Sequence, residues 1–171
     1  MKLVNIKDIP SKEDVKEADL EDPVKLLKIF KDMENLCNKK NGIGLSAVQV
    51  GIPLRMFIVK IDKDSKLNKL VKNNFIYCLN MEYHYPTDSD NYIISLEGCL
   101  SIRSLDGQLR HFQVPRFKNI NLNGFFLKDT KFIELSNFEL NVDDQSIVFQ
   151  HEIDHQFGIT IDQIGKEIFL W

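Results

Sequence analysis

The sequence predicts an α+β domain in which antiparallel β-sheets pack around a central C-terminal helix, with an amphipathic helix near the N-terminus. Three observations carry this prediction: an apolar stripe of helical period early in the chain, a late helix apolar on two faces, and short strand-like segments between them.

The first helix is expected over about residues 23 to 40. Asp22-Pro23 joins a capping side chain to a proline in the first turn, and Asn41-Gly42 tolerates the left-handed geometry that ends a helix. Between them Leu26, Ile29, Phe30, Met33, Leu36 and Cys37 recur at three- and four-residue spacing. A glycine-containing loop follows at Gly42-Ile43-Gly44, then a strand-like run from Leu54 to Ile61. The charged, asparagine-rich stretch from Asp62 to Asn74, with its basic run Lys69 to Lys72, is expected as an exposed loop. Phe75 to Leu79, Tyr92 to Leu96, Lys118 to Leu122 and Lys131 to Leu135 are further strand candidates, and Asn123-Gly124 is a hairpin signal. Asp143 or Asp144 is expected to cap the second helix, which runs to about Phe157 and stops at Gly158. Residues 1–171 therefore read as a single domain, without a long linker, internal repeat or low-complexity tract.

Composition narrows the function classes. A 43% hydrophobic and 27% charged chain with net charge −3 is an ordinary globular one, and no broad basic surface is present for nucleic acid. The N-terminus carries no signal-like segment and no apolar run approaches the ~18 residues needed to cross a bilayer, so a cytoplasmic protein without membrane contact is expected. Three widely spaced cysteines do not make a disulfide framework. Cys37 and Cys78 fall on apolar positions and read as core residues.

The chemistry concentrates in His151-Glu152-Ile153-Asp154-His155. Residues four apart on a helix share a face, so both imidazoles can reach one metal ion. Glu152, turned about 100° from His151, can lean over the open side and take a proton from water activated there. Phe149, Ile153 and Phe157 form an apolar stripe on the opposite side, while Ile147 and Val148 are apolar on the metal side, the pattern of a buried helix. A third ligand is needed. Gly158 fits the glycine of the extended metalloprotease motif, but Ile161 stands where its third histidine belongs. Glu167 lies too near the chain end, and His84 and His111 sit in polar, loop-like contexts expected at the surface. Cys99, after Leu96-Glu97-Gly98 at the end of a strand, is the best remaining candidate, since a thiolate binds zinc or ferrous iron strongly.

Three segments stand out in order: Gly42-Ile43-Gly44-Leu45-Ser46-Ala47-Val48-Gln49, Glu97-Gly98-Cys99-Leu100-Ser101 and Gln150-His151-Glu152-Ile153-Asp154-His155. Together they resemble the three motifs of the peptide deformylase family. The resemblance implies removal of the formyl group from formyl-methionyl nascent peptides, with release of formate. It implies Cys99, His151 and His155 as ligands of one divalent metal, ferrous iron in the cell and zinc or nickel in purified protein. Glu152 becomes the general base and acid, and Gln49 with the Leu100 N–H the oxyanion donors. Ile43, Gly44, Glu97 and Gly98 are then expected against the substrate, and Ile147 and Val148 around the methionine side chain. Arg116 matches a family arginine that pairs with the aspartate of the helix motif, here Asp154.

The chain also departs from the pattern. Ser46-Ala47-Val48 replaces two alanines and a proline, and Arg103 replaces a proline after the second motif. Arg103 to Pro115 reads as a loop longer than usual, which leaves open whether Arg110 or His111 stands near the substrate. Asp144 occupies a place the family generally fills with an apolar residue. Only 16 residues follow His155, so no extended terminal helix and at most weak ribosome contact are expected; a monomer is the expected state. Two rivals are an endoprotease built on the same helix motif and a non-catalytic peptide- or metal-binding domain.

Overall fold

The computed structural model describes residues 1–71, 74–87 and 89–169. Helix α1 (Pro23–Lys39) begins where Asp22 accepts a hydrogen bond from Lys25 N and buries Leu26, Phe30, Met33, Leu36 and Cys37. A five-stranded antiparallel sheet follows, in the order β1 (Gly44–Ser46), β2 (Met56–Lys60), β3 (Phe75–His84), β6 (Ile120–Lys128), β7 (Lys131–Leu140). A second sheet has the order β4 (Tyr92–Arg103), β5 (Leu109–Phe117), β8 (Lys166–Ile168). The late helix α2 (Ser146–Gln156) and the single turn α3 (Ile161–Ile164) complete the described elements. None of the described helices is long and apolar enough to cross a membrane.

Alternation along β2 and β3 explains the layering. Side chains on a strand point to opposite faces in turn. Met56, Ile58, Tyr77 and Leu79 join the α1 cluster, whereas Phe57, Val59, Ile76 and Cys78 join a cluster with Phe149 and Ile153 of α2. The two central strands are thus apolar on both faces, which is why their sequences read as nearly continuous apolar runs. Cys37 and Cys78 are both fully buried in these clusters.

Several expectations are corrected. Asn123-Gly124 is not a hairpin: both lie inside β6, at a register shift between Leu122 and Gly124. Gly124 has φ 138°, and a Cβ there would meet the Asn80 carbonyl oxygen at 2.8 Å, so the glycine serves a close backbone approach rather than a turn. The turn falls after Lys128, with Asp129 at φ 57°. The Arg103 to Pro115 loop is largely strand, because β5 pairs along β4 from Tyr92↔Phe117 to Gly98↔His111. Neither Asp143 nor Asp144 caps α2; Gln145 precedes it in left-handed geometry without a side-chain cap. Asp144 instead binds Lys66, whose Nζ lies 2.8 Å away. The segment from Asp62 carries a short 3-10 turn at Lys66–Leu70 that buries Leu67, and Lys72 of the basic run lies outside the described residues.

Candidate metal centre

Helix α2 is held from both sheets by polar side chains. Gln145 accepts from Asp62 N and donates to Lys60 O, both at 2.9 Å, which fixes the helix start to the end of β2. The Gln150 amide binds both backbone groups of Phe117 at 2.9 and 2.8 Å. Asp154 receives Arg116 Nη1 at 2.5 Å. With Phe149 and Ile153 in the core on the other side, the helix is buried all round, as the two apolar faces implied.

On this helix His151 and His155 stand with ring centroids 4.8 Å apart. Cys99 comes to meet them from β4, its Sγ 3.4 Å from His155 Nε2. One donor atom from each of the three lies within 4.8 Å of the others. Cys99 is not at the end of its strand, as expected, but at the point where the β4–β5 ladder breaks between Gly98 and Arg103. A tetrahedral ion with bonds of ~2.3 Å to sulfur and ~2.0 Å to nitrogen sets its ligands about 3.3–3.6 Å apart, so the Cys99–His155 pair already has the right span.

The surroundings fit a cation. Glu97 Oε2 lies 2.8 Å from His151 Nδ1, which leaves Nε2 of that ring as the ligand atom. Burial pushes the Glu97 carboxyl up, but hydrogen bonds from Arg116 and His151 outweigh it and hold the group at about 2. Burial lowers the His151 ring, yet its bonds to Cys99 and Glu97 raise it to about 10, so an ion taking Nε2 of this ring displaces a proton from it. Burial holds His155 well below its ordinary value, as a neutral nitrogen donor requires.

The side chains expected to be catalytic line the same cleft. Gln49 sits in a 3-10 turn (Ala47–Val50) and is nearly fully buried. Its Oε1 accepts from Ser46 N at 2.9 Å, which aims the amide Nε2 at Cys99 Sγ and Ser101 Oγ, each 3.3 Å away. Glu152 is buried, and its Oε2 has no hydrogen-bond partner among the described residues. Burial raises its carboxyl to about 7, suited to accepting a proton near neutrality. Gly44 makes room for it: a Cβ there would lie 2.3 Å from Glu152 Oε1. The cleft, about 480 Å³, is lined by Ile43, Gly44, Glu97, Gly98, Ile147 and Val148, all expected there, and also by Gln49, Leu100 and Glu152.

Some residues take other places than expected. His111 is not a surface loop residue: it stands opposite Gly98 in the ladder and lines the cleft. Arg110 is occupied by Glu167 through two bonds of 2.6 and 2.5 Å across to β8. Arg116 binds Asp154, and also Glu97 at 2.7 and 2.9 Å, a link the motif spacing did not reveal. Leu96, Leu109 and Gln145 also line the cleft and carry no motif signal.

Comparison with known proteins agrees with this geometry. The family model described as polypeptide deformylase matches residues 2–167. A peptide deformylase of Thermodesulfovibrio yellowstonii is 31% identical over 99% of this chain and 95% of its own length. One from Rhodopirellula baltica is 34% identical over 84% of this chain, which spans 63% of that protein. The crystal structure of a probable peptide deformylase from Synechococcus phage S-SSM7 shares the fold, with TM-score 0.72 at 24% identity over 96% of this chain and 99% of the other.

Proposed function

The chain belongs to the peptide deformylase family, and from that membership we propose that it hydrolyses the formyl amide of formyl-methionyl peptides, releasing formate. The observation that carries this reading is the convergence of Cys99, His151 and His155 beside Glu152 and Gln49 on one cleft.

A divalent cation held by Cys99, His151 and His155 supplies Lewis acidity and lowers the pKa of water. Glu152 takes the proton released by the attacking water and returns it to the departing amine. As the formyl oxygen gains charge, the Gln49 Nε2 and the Leu100 N–H donate to it. The break in the β4 ladder next to Cys99 supports the second donor, because backbone there is released from pairing with β5. Ile147 and Val148 form the apolar wall for the methionine side chain. The strands β1 and β4 are edges of the two sheets, and Ile43, Gly44 and Gly98 present backbone to an extended substrate between them. Ferrous iron is the cellular ion under this reading, with zinc or nickel in purified protein. A cytoplasmic monomer with at most weak ribosome contact is the matching setting.

The endoprotease rival loses support because Ile161, at its third-ligand position, is packed with Cys99, Phe112 and Val114. The non-catalytic rival leaves Glu152 and Gln49 without a task. The test is hydrolysis of formyl-Met-Ala against an unblocked peptide with internal bonds, for the wild type, Glu152→Ala and Cys99→Ser. Formate release by the wild type only, with zinc retained by Glu152→Ala and lost from Cys99→Ser, is expected. Normal turnover by Glu152→Ala refutes the mechanism.

A further inference from the structure

Strand β4 lies at the edge of its sheet, pairing with β5 on one side. Natural edge strands carry charges, prolines or bulges that discourage a further strand from pairing. The segment Tyr92-Ile93-Ile94-Ser95-Leu96 has no charged residue. Three of its large side chains alternate outward: Tyr92 is 52% exposed, Ile94 63% and Leu96 55%. Single exposed apolar residues are ordinary, but these share one face of one strand.

The stripe has two defined ends. Leu96 lines the catalytic cleft beside Gly98. Tyr92 lies against Phe117 with centroids 4.8 Å apart, and Tyr85, itself 45% exposed, stacks on the same ring at 3.6 Å. An uncharged edge thus leads from the reaction site to an exposed aromatic platform, a path of about 13 Å from Leu96 to Tyr92 at ~3.3 Å per residue.

We propose that the outward face of β4 binds the substrate's own downstream residues, selecting apolar side chains at alternate positions after the formyl-methionine. This rests on the deformylase reading above. The occupant follows from continuity, because a polypeptide whose first residue reacts in the cleft must leave it, and β4 offers an unpaired backbone edge at the exit. The register follows from alternation. Glu97, like Cys99 two residues on, turns toward α2, where Ile147 and Val148 await the methionine side chain. An extended substrate running antiparallel to β4 with methionine abreast of Glu97 turns residues 2, 4 and 6 outward, alongside Leu96, Ile94 and Tyr92.

The test compares the metal-loaded enzyme on formyl-Met-Ala-Ser and on two eight-residue formyl-Met peptides carrying either leucine or serine at positions 4 and 6. The leucine peptide should have a kcat/KM about tenfold above the serine peptide, expressed mainly in KM. Ile94→Thr with Tyr92→Thr, which keeps β-forming residues at exposed sites, should bring the two long peptides to within about twofold of each other. Equal rates for both peptides with the wild type, or an advantage that survives the double variant, overturn the proposal. A wild-type dimer in sedimentation that the double variant abolishes assigns the stripe to a second copy of the chain and also overturns it. Failure of the deformylase reading is seen separately, as no hydrolysis of formyl-Met-Ala-Ser.

Discussion

Replacing Arg116 with methionine isolates the buried charge cluster behind the metal centre. The guanidinium side chain is 2% exposed and makes three bonds to Glu97 and Asp154, whose side chains are 7% and 9% exposed. Methionine retains much of the volume but leaves the buried Asp154 carboxylate without its cation and Glu97 with only the His151 ring. Breaking a buried pair in this way costs about 3–5 kcal/mol, and at roughly 2–4 °C per kcal/mol for a domain of this size the midpoint should fall by about 6–20 °C. The dependence on pH has a defined sign. In the wild type Glu97 sits at about 2, below its ordinary 4.5, so its contribution is fully present above 4.5 and lost as pH falls toward 2. In the variant, burial of Glu97 and Asp154 is no longer offset by the arginine, so each carboxyl moves up and ionising it opposes folding. The deficit should therefore be largest at pH 7.5 and shrink by pH 5.5, where protons replace the missing cation. Urea unfolding of both proteins at the two pH values, with chelator throughout so that metal binding does not enter, measures it. A deficit below about 1 kcal/mol at pH 7.5, or one that does not shrink at pH 5.5, refutes the reasoning.

Three further outcomes are expected. Gln49→Leu removes one oxyanion donor and should lower kcat on formyl-Met-Ala by about 10²–10³ with little change in KM; a loss confined to KM contradicts the assigned role. Gly44→Ala places a methyl 2.3 Å from Glu152 Oε1, so turnover should drop while zinc stoichiometry stays at that of the wild type, and full activity would show that the carboxylate need not stand there. The pH profile of kcat/KM should have an acid limb governed by Glu152. Its carboxyl is raised to about 7 by burial and drawn down again by a neighbouring cation, so activity should fall as pH drops between about 7 and 4.5, and a flat profile across that range would exclude it as the base.

Both long helices were legible because their signals are local. Asp22-Pro23 and the apolar period fixed α1 almost to the residue, and the apolar residues on two sides of the histidine helix foretold its burial. The cluster of Cys99, His151 and His155 was legible because a four-residue helical spacing names two of its members and the cysteine motif the third. β5 was not. Its inward positions are Phe112, Val114 and Arg116, and its outward ones include Gln113 and Pro115, so its alternation is hidden by a buried charge and a proline. Missing β5 misplaced His111, which lines the cleft only because that strand brings it opposite Gly98. The role of Glu97 was equally hidden. Its carboxylate reaches His151 across 54 positions of sequence, a distance at which no periodicity speaks. At Gly124 the local signal was genuine but ambiguous, since a glycine that suits a turn suits a bulge as well.

Because Cys99 stands on β4 and α2 is tied to the neighbouring strand of that sheet by Gln150 and Asp154, its two imidazoles meet the sulfur only when the helix has docked on the second sheet. Ion uptake is therefore a reporter of that docking: a partly folded chain with the second sheet still loose offers two ligands and no third. The same coupling works in reverse, since an ion that stitches these parts together holds the helix on its sheet and should slow the chain's opening as well as arm it for chemistry.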